Sequence, residues 1–454
     1  MQGNFSADGG TIKLDGNYPV GTGNVALGDT ALDSLTSGGN NTAVGTEALT
    51  SNASGNANTA MGRAVLNSTT GSQNSGFGSL ALYDNTSGQY NTALGAEALT
   101  NNTTASNNTA VGYQAGYLNT TGAGNTGIGA YALNENTSGG NNVAVGSSAL
   151  ESNSTASNNT ALGRQALQAN TTADNNTAVG YQAGYSNTTG IRLSAFGYQA
   201  LYTNTTGTDN DAFGHQALRA NNGNYNQAFG RFALYSNTSG TSNVAMGSNS
   251  LYTNTTGSYN VALGMESLTS NTTASFNTAV GKSALGANTV GAYNVAIGQA
   301  ALEQDTKGSR STAIGRAALA SQNFTSATDT YNTAVGNNAG INVTTGIQNT
   351  LIGGLAGDGL TTGSLTAVGY SSGGSVTTSV GNVFMGELSG ASVTTGNNNT
   401  AFGSQALTTA VTAVSNSAFG HDALRVATGN GNSALGYNAG AGATTTDHCV
   451  FCRI

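Results

Sequence analysis

Charged side chains are scarce in this sequence, since Asp, Glu, Lys and Arg together make up 7% of its 454 residues. The formal net charge of −8 is spread thinly along the chain, and the only lysines are Lys13, Lys282 and Lys307. A protein that binds nucleic acid needs a basic stripe to neutralise phosphates, and the sequence has none. Nucleic acid is therefore not an expected partner, and solubility must come from Asn, Thr, Ser and Gly.

Tryptophan is absent, Pro19 is the only proline, and Cys449 and Cys452 are the only cysteines. Few prolines favour a continuous hydrogen-bonded ladder, because proline removes a backbone donor. The first residues contain no basic segment followed by an apolar run, so we expect no secretory signal. No apolar stretch approaches 18 residues, so we expect no membrane insertion.

Glycine is abundant and occurs in a fixed pattern. A glycine that follows a small and then an apolar residue occurs 25 times, at intervals of 16 or 17 residues with one interval of 21. We number each repeat from this glycine as position 0. Position −4 is Asn in 22 repeats, position −2 is Ala in 21, and position +4 is Leu in 18 and Gly in seven. A short fixed period means that each unit must stack on its neighbours to bury its apolar face.

Each repeat is expected to form one coil of an all-β solenoid. Positions −4 to 0 have the length and β-branched content of a short strand, with the apolar residue at −1 facing inward. Ala and Leu at +3 and +4 predict a second short buried strand, and the Asn/Thr/Gly run predicts turns. Parallel strands about 4.8 Å apart would make 25 coils a rod on the order of 120 Å long, with recurrent Asn side chains forming a ladder.

The repeat pattern predicts four segments. Residues 1–23 lie outside the repeat and are expected to be a cap or attachment segment, with a strand at 11–14 and a turn at 17–19. Residues 24–319 hold 18 regular units. After a four-residue insertion, residues 320–447 hold seven units in which position +7 changes from Asn to apolar or small, so the cross-section should change there. Residues 448–454 form a truncated unit, with His448 expected in the Asn slot and Cys452 at position 0.

The sequence Asn-Thr-Ala-Val-Gly at 41–45, 108–112 and 176–180 resembles the head repeat of trimeric autotransporter adhesins of the Yersinia adhesin type. The resemblance covers residues 24–452 and implies a left-handed parallel β-roll, three chains wide, that binds host surfaces. The repeat here is longer than the family's. The family's signal peptide, coiled-coil stalk and outer-membrane barrel have no counterpart in the sequence.

Runs such as NTAVGYQAGYSNTTG are more similar to fibre proteins of tailed phages, especially marine ones, which use this roll. This resemblance implies a non-enzymatic homotrimeric fibre of a phage virion that is assembled in the host cytoplasm and aids host attachment. Its partners would be baseplate, tail or capsid proteins and a host cell-surface glycan or protein. The alternative is a secreted bacterial trimeric adhesin or surface-filament subunit.

Tyrosines recur at position +5, five residues after the glycine. They suggest an outward aromatic strip that stacks on the sugar rings of a host glycan, and the alternative is that they cover coil corners or pack between chains. The candidate receptor-surface residues are Tyr117, Tyr185, Tyr202, Tyr235 and Tyr252.

His448, Cys449 and Cys452 are weak metal-site candidates, because a zinc site normally needs four ligands at recognisable spacing. The alternative is that Cys449 and Cys452 are small residues in a degenerate last unit. His215 and His421 share position +1 and are expected to be exposed variants without a catalytic partner. No catalytic cluster recurs, so we expect neither enzyme activity nor a cofactor.

Two other solenoid functions are disfavoured by the sequence. An ice-binding solenoid needs one flat threonine face, and most threonines here are expected in turns. A polysaccharide-degrading solenoid needs carboxylates clustered on one face, and the 20 Asp and Glu residues are scattered.

Overall fold

The computed structural model describes residues 12–13, 21–378 and 380–453. The chain divides into two compact units, Met1–Asn224 and Tyr225–Ile454. Each unit is a parallel β-solenoid in which successive coils pair strand to strand at the predicted period, for example Thr160 with Thr177 and Thr278 with Val295. No helix occurs among the residues that the structure describes. The all-β solenoid expected from the repeat is confirmed.

The described residues of the first unit contain one short antiparallel strand followed by twelve parallel ones. In β1, Ile12 pairs with Leu27 and Lys13 with Ala26, so a strand does lie inside the predicted 11–14 segment. The predicted turn at 17–19 lies outside the described residues. The strands are β1 Ile12–Lys13, β2 Val25–Leu27, β3 Thr42–Val44, β4 Thr59–Met61, β5 Ser75–Phe77, β6 Thr92–Leu94, β7 Thr109–Val111, β8 Thr126–Ile128, β9 Val143–Val145, β10 Thr160–Leu162, β11 Thr177–Val179, β12 Ser194–Phe196 and β13 Asp211–Phe213.

The second unit is built from the same kind of coil and has an additional two-stranded pair, β19 with β21, at the insertion. Its strands are β14 Gln227–Phe229, β15 Val244–Met246, β16 Val261–Leu263, β17 Thr278–Val280, β18 Val295–Ile297, β19 Gly308–Ser309, β20 Thr312–Ile314, β21 Thr328–Asp329, β22 Thr333–Val335, β23 Thr350–Ile352, β24 Ser364–Val368, β25 Val380–Met385, β26 Thr400–Phe402, β27 Ser417–Phe419, β28 Ser433–Leu435 and β29 Val450–Cys452.

The core lies between the strand and the segment that follows the glycine. Alanine at −2 faces inward and is almost fully buried, as Ala144 and Ala161 illustrate, and Leu150 at +4 fills the space opposite. The prediction that position −1 faces inward is wrong. In a three-residue strand the middle side chain points to the face opposite its two neighbours, and the middle residue is the alanine.

Side-chain sizes on the two sides of the core compensate for each other. Where Leu351 and Phe384 replace alanine at −2, the facing +4 positions are Gly357 and Gly390. A Cβ atom at Gly357 would lie 2.7 Å from Leu351 Cδ2, and one at Gly390 would lie 2.6 Å from the Phe384 ring. In these two coils, the glycine at +4 therefore leaves room for the larger side chain of the strand.

The predicted second strand at +3 and +4 is a turn. Leu150 has φ of 49° and Ser148, at +2, has φ of 57°, both in the left-handed region that strands do not use. The segment is buried as expected, and it still bonds between coils, since Leu150 N–H donates to the Ala166 carbonyl at 3.0 Å. Outside the insertion, each described coil therefore has one strand, not two.

Two asparagine ladders run inside the coils, which confirms the predicted amide ladder. At position −4, Asn142 N–H donates to Asn125 Oδ1 at 2.9 Å. At position +7, Asn136 Nδ2 donates to Asn119 Oδ1 at 2.7 Å, and Asn119 Nδ2 donates to the Gly122 carbonyl at 2.9 Å. These bonds satisfy amides that would be costly to bury unpaired.

The interior changes after the insertion, as the sequence predicts. At position +7 the asparagines are replaced by apolar residues that are fully buried, including Val343, Leu360, Val376 and Val393. The insertion also buries most of Phe324. One corner of the coil therefore exchanges a hydrogen-bonded ladder for hydrophobic packing.

Candidate interaction surfaces

An outward apolar row follows from the strand geometry in each unit. Because alanine takes the inner face, the residue at −1 points outward, and none of these 25 residues is buried. Leu94 is 49% exposed, Leu162 47% and Leu435 63%. We call this set the outer row. In the first unit it comprises Leu27, Val44, Met61, Phe77, Leu94, Val111, Ile128, Val145, Leu162, Val179, Phe196 and Phe213, and in the second Phe229, Met246, Leu263, Val280, Ile297, Ile314, Val335, Ile352, Val368, Met385, Phe402, Phe419 and Leu435.

Position −3 lies beside the outer row on the same face of the sheet. It carries Thr in many coils, such as Thr109 and Thr177, and Val in others, such as Val143. These threonines lie in strands, not in the turns where most threonines were expected. Side chains of different size alternate along the outer row, from Val179 to Phe196, so this face is not flat.

The candidate tyrosines at +5 are half-buried. In the first unit Tyr185 stacks on Tyr202 at 5.1 Å between ring centroids, and the Arg219 guanidinium lies 5.1 Å from the Tyr202 centroid. Tyr117 lies several coils earlier, and its carbonyl accepts hydrogen bonds from the backbone and side chain of Asn101.

In the second unit Tyr235 stacks on Tyr252 at 5.2 Å, and Phe232 meets both rings edge-on at 5.5 and 6.1 Å. Because the ring faces are turned toward one another along the stack, a sugar would meet mainly their edges. The geometry therefore favours the interpretation that these tyrosines cover coil corners.

A strongly exposed aromatic ladder lies at position −5, outside the candidate residues predicted from the sequence. Tyr259, Phe276 and Tyr293 stack at 5.1 Å with nearly parallel rings, and about half of each is exposed. The Arg310 guanidinium continues the stack between Tyr293 and Tyr331 at 5.1 and 5.9 Å. The sequence shows the spacing of these residues but not their exposure. Tyr259, Phe276 and Tyr293 have φ of 58°, 62° and 61°, in the left-handed region where strand alternation does not set side-chain direction.

Position +1 carries a second exposed ladder in the first unit. Tyr181 stacks on Tyr198 at 5.4 Å, and Tyr198 stacks on His215 at 5.0 Å. His215 and His421 are both exposed, and His421 Nδ1 lies 3.2 Å from the Asp422 carboxylate. The imidazoles therefore sit on the surface in their shared slot.

Ion pairs on the surface also connect consecutive coils. Arg192 Nη2 donates to Asp209 Oδ2 at 2.8 Å, and this hydrogen bond lowers the pKa of Asp209. Arg310 pairs with Asp329 at 3.1 Å, and that hydrogen bond raises the pKa of Arg310. Both pairs are largely exposed, so water and salt screen them and each contributes little to stability.

The structure shifts the last unit by one residue relative to the predicted alignment. Cys449 N–H donates to Asn432 Oδ1 at 2.9 Å, so Cys449 takes the Asn slot and His448 takes position −5. Cys452 pairs with the −1 residue of the preceding coil, which leaves Arg453 at position 0. Alternation then directs Cys449 inward and Cys452 outward, so the weak metal candidates do not converge on one point.

Within the described ranges, no group of three or more His, Cys, Asp and Glu side chains could hold a metal ion. No helix that could cross a membrane is found among those residues. A scan of protein-family models finds none that matches the sequence, and a search of curated proteins finds no significant match.

Proposed function

We propose that the chain is a non-enzymatic structural fibre protein of a phage virion, a tail fibre or other appendage that aids host attachment. In this proposal it is a left-handed homotrimer whose partners are virion proteins and a host cell-surface glycan or protein. The virion assignment rests on the resemblance of the repeat to phage fibres, and the alternative is a secreted bacterial trimeric adhesin. Tail and capsid genes beside its gene would favour the virion.

The observation that carries the self-association is the outer row. A soluble protein rarely exposes a long contiguous line of Leu, Val, Ile, Met and Phe unless a partner covers it. Covering one half-exposed side chain of this size is worth roughly 1 kcal/mol, so a dozen would contribute on the order of 10 kcal/mol before the entropic cost of association. A second and third copy fit best, because their own outer rows repeat at the same coil spacing.

Light scattering on the purified chain tests the association. The wild type should have three times the 44.9 kDa chain mass, and Leu94→Lys combined with Ile128→Lys should be monomeric or much weaker. Leu118→Lys is the matched control, because Leu118 is 37% exposed but lies outside the outer row. A monomeric wild type would refute the trimer.

Attachment is tested separately on virions. Immunogold labelling of the protein should decorate an appendage of intact particles, and purified protein should compete with particles for host cells. Labelling of bacterial surfaces in uninfected cultures would instead support the adhesin alternative.

A further inference from the structure

The +7 asparagine ladder of the second unit ends at a carboxylic acid. Asn254, Asn271 and Asn288 each donate an Nδ2 hydrogen bond to the Oδ1 of the preceding rung, at 2.8, 2.8 and 3.0 Å. Each also donates to the carbonyl three residues further on. The next rung is Asp305, which has no amide N–H to donate.

Because Asp305 stands where the preceding coils have Asn, the amide oxygen of Asn288 has no donor. Asn288 Oδ1 is buried and has no hydrogen-bond partner, although the ladder spacing puts the Asp305 carboxyl where the next amide would lie. Asp305 itself is fully buried. Its Oδ1 accepts from the Gly308 N–H at 3.0 Å, and its Oδ2 accepts from Gln322 Nε2 at 2.7 Å.

No positive charge among the described residues compensates Asp305. The coil before it presents the amide of Asn288, and the coil after it presents the amide of Gln322. In its own coil, Lys307 directs its ammonium to the Thr325 carbonyl at 3.0 Å, and Glu303 lies half-buried two residues before it. Burial raises the pKa of Asp305, and this effect is larger than the opposite effect of the hydrogen bonds to its carboxyl group. No charged side chain contributes to the shift.

We propose that Asp305 is buried as a neutral carboxylic acid that donates its proton to Asn288 Oδ1, and that its ionisation as the pH rises breaks the ladder there and loosens the adjoining coils. The proton satisfies the one acceptor that the ladder leaves open. Ionisation would place a charge beside an amide oxygen in a dry interior, which is unfavourable for both groups. This site would be a pH-dependent weak point, independent of whether the chain associates.

The direction of the pH effect follows from the raised pKa. The stabilisation by Asp305 is complete below its unfolded pKa and is lost as the pH rises through the folded value. Asp209 behaves oppositely, because its lowered pKa makes its contribution present at neutral pH and lost in acid. Lowering the pH should therefore stabilise the coils around Asp305 and weaken the surface ion pairs.

Hydrogen exchange of the full-length protein at pH 5 and pH 8 tests the proposal, after correction for intrinsic exchange rates. Peptides that cover residues 285–324 should exchange at least about tenfold faster at pH 8 than at pH 5 in the wild type. Asp305→Asn should exchange slowly at both values, because its amide restores the donor to Asn288. Asp84→Asn, which changes a side chain with no place in the ladder, should behave like the wild type.

Two further measurements distinguish protonation of Asp305 from other effects of the Asp305→Asn substitution. The infrared difference spectrum at pH 5, wild type minus Asp305→Asn, should contain the band of a protonated carboxylic acid, because the contributions of the other carboxyl groups cancel. In an Asn288→Val background, Asp305→Asn should lose its protective effect, because the new amide has no acceptor. Exchange in Asp305→Asn at pH 8 as fast as in the wild type, or no acid band at pH 5, would overturn the proposal.

Discussion

The short distance between successive coils limits which residue can occupy a given position. The glycine at position 0 has φ between 119° and 144° in all 25 repeats. It also lies against the next glycine, since a Cβ at Gly281 would be 2.6 Å from both the carbonyl carbon and the oxygen of Gly298. Conformation and space therefore both exclude a side chain, which explains why this position is glycine in all 25 repeats.

Two glycines of the same coil allow this argument to be tested. Gly281→Ala should destabilise the fold by about 2 kcal/mol or more, because φ is +130° and the new methyl would collide with backbone. Gly286→Ala should change stability by less than about 1 kcal/mol, since its slot holds Tyr235, Tyr252 and Thr269 in neighbouring coils. Urea unfolding followed by circular dichroism measures both, and equal losses would contradict the steric explanation.

Within each coil, the two apolar positions of the strand, −2 and −1, lie on opposite faces of the sheet. Alanine at −2 and leucine at +4 close the interior, whereas the larger residue at −1 is left outside. An inward residue at −1 would have to share a thin interior with Leu at +4, and the glycines opposite Leu351 and Phe384 show how little space there is. The outer row therefore results from the packing of the core.

Two leucines from adjacent coils distinguish the inside from the outside. Leu150→Ala should cost about 2–5 kcal/mol because it opens a cavity at a fully buried site. Leu162→Ala should cost less than about 1 kcal/mol, since Leu162 is 47% exposed. Both are compared by denaturant unfolding in the Leu94→Lys/Ile128→Lys background, where association cannot cover the outer row. Similar costs at the two positions would mean that Leu162 is not an outward residue.

The repeat period predicts the position of each strand and the amide ladder, but it does not predict which face of the strand points into the core. Recurrence of Asn at one coil position was enough to predict an amide ladder, because equivalent residues of successive coils must lie above one another. The second ladder, at +7, was not predicted. Alanine and valine in a three-residue strand are both apolar, so the pattern did not reveal that alanine takes the inner face. The last coil was misaligned for a related reason: intervals of 16 and 17 both occur, and only the hydrogen bond from Cys449 to Asn432 distinguishes them.

The aromatic sites illustrate the same limit. Stacking of Tyr185 on Tyr202 follows from their 17-residue spacing and could have been predicted. That the ring faces are turned toward one another, and that the ladder around Tyr293 is more exposed, depends on side-chain direction at each corner. Sequence alone does not specify that direction at positions with left-handed backbone.

At the scale of the whole molecule, the described coils of each unit contact mainly their neighbours. Val143 pairs with Thr160 and Thr160 with Thr177, and the −4 ladder continues from Asn142 to Asn159 in the same way. In such an array the stability is approximately a sum of coil and interface terms, so no single interior coil is indispensable.

Removal of one whole coil tests this additivity. Deletion of residues 160–176 joins Asn159 to Thr177, so Val143 can pair with Thr177 and Asn153 can stack on Asn187 without a change of alignment. We expect a folded protein with unchanged β-structure per residue and a thermal midpoint within a few degrees of the wild type. Deletion of residues 160–168 is the control, because it removes half a coil and leaves the Asn ladders without matching rungs. It should unfold or aggregate, since every buried amide at the junction would lose its partner. Equal tolerance of both deletions in circular dichroism and thermal melts would show that stacking in register does not hold the molecule together.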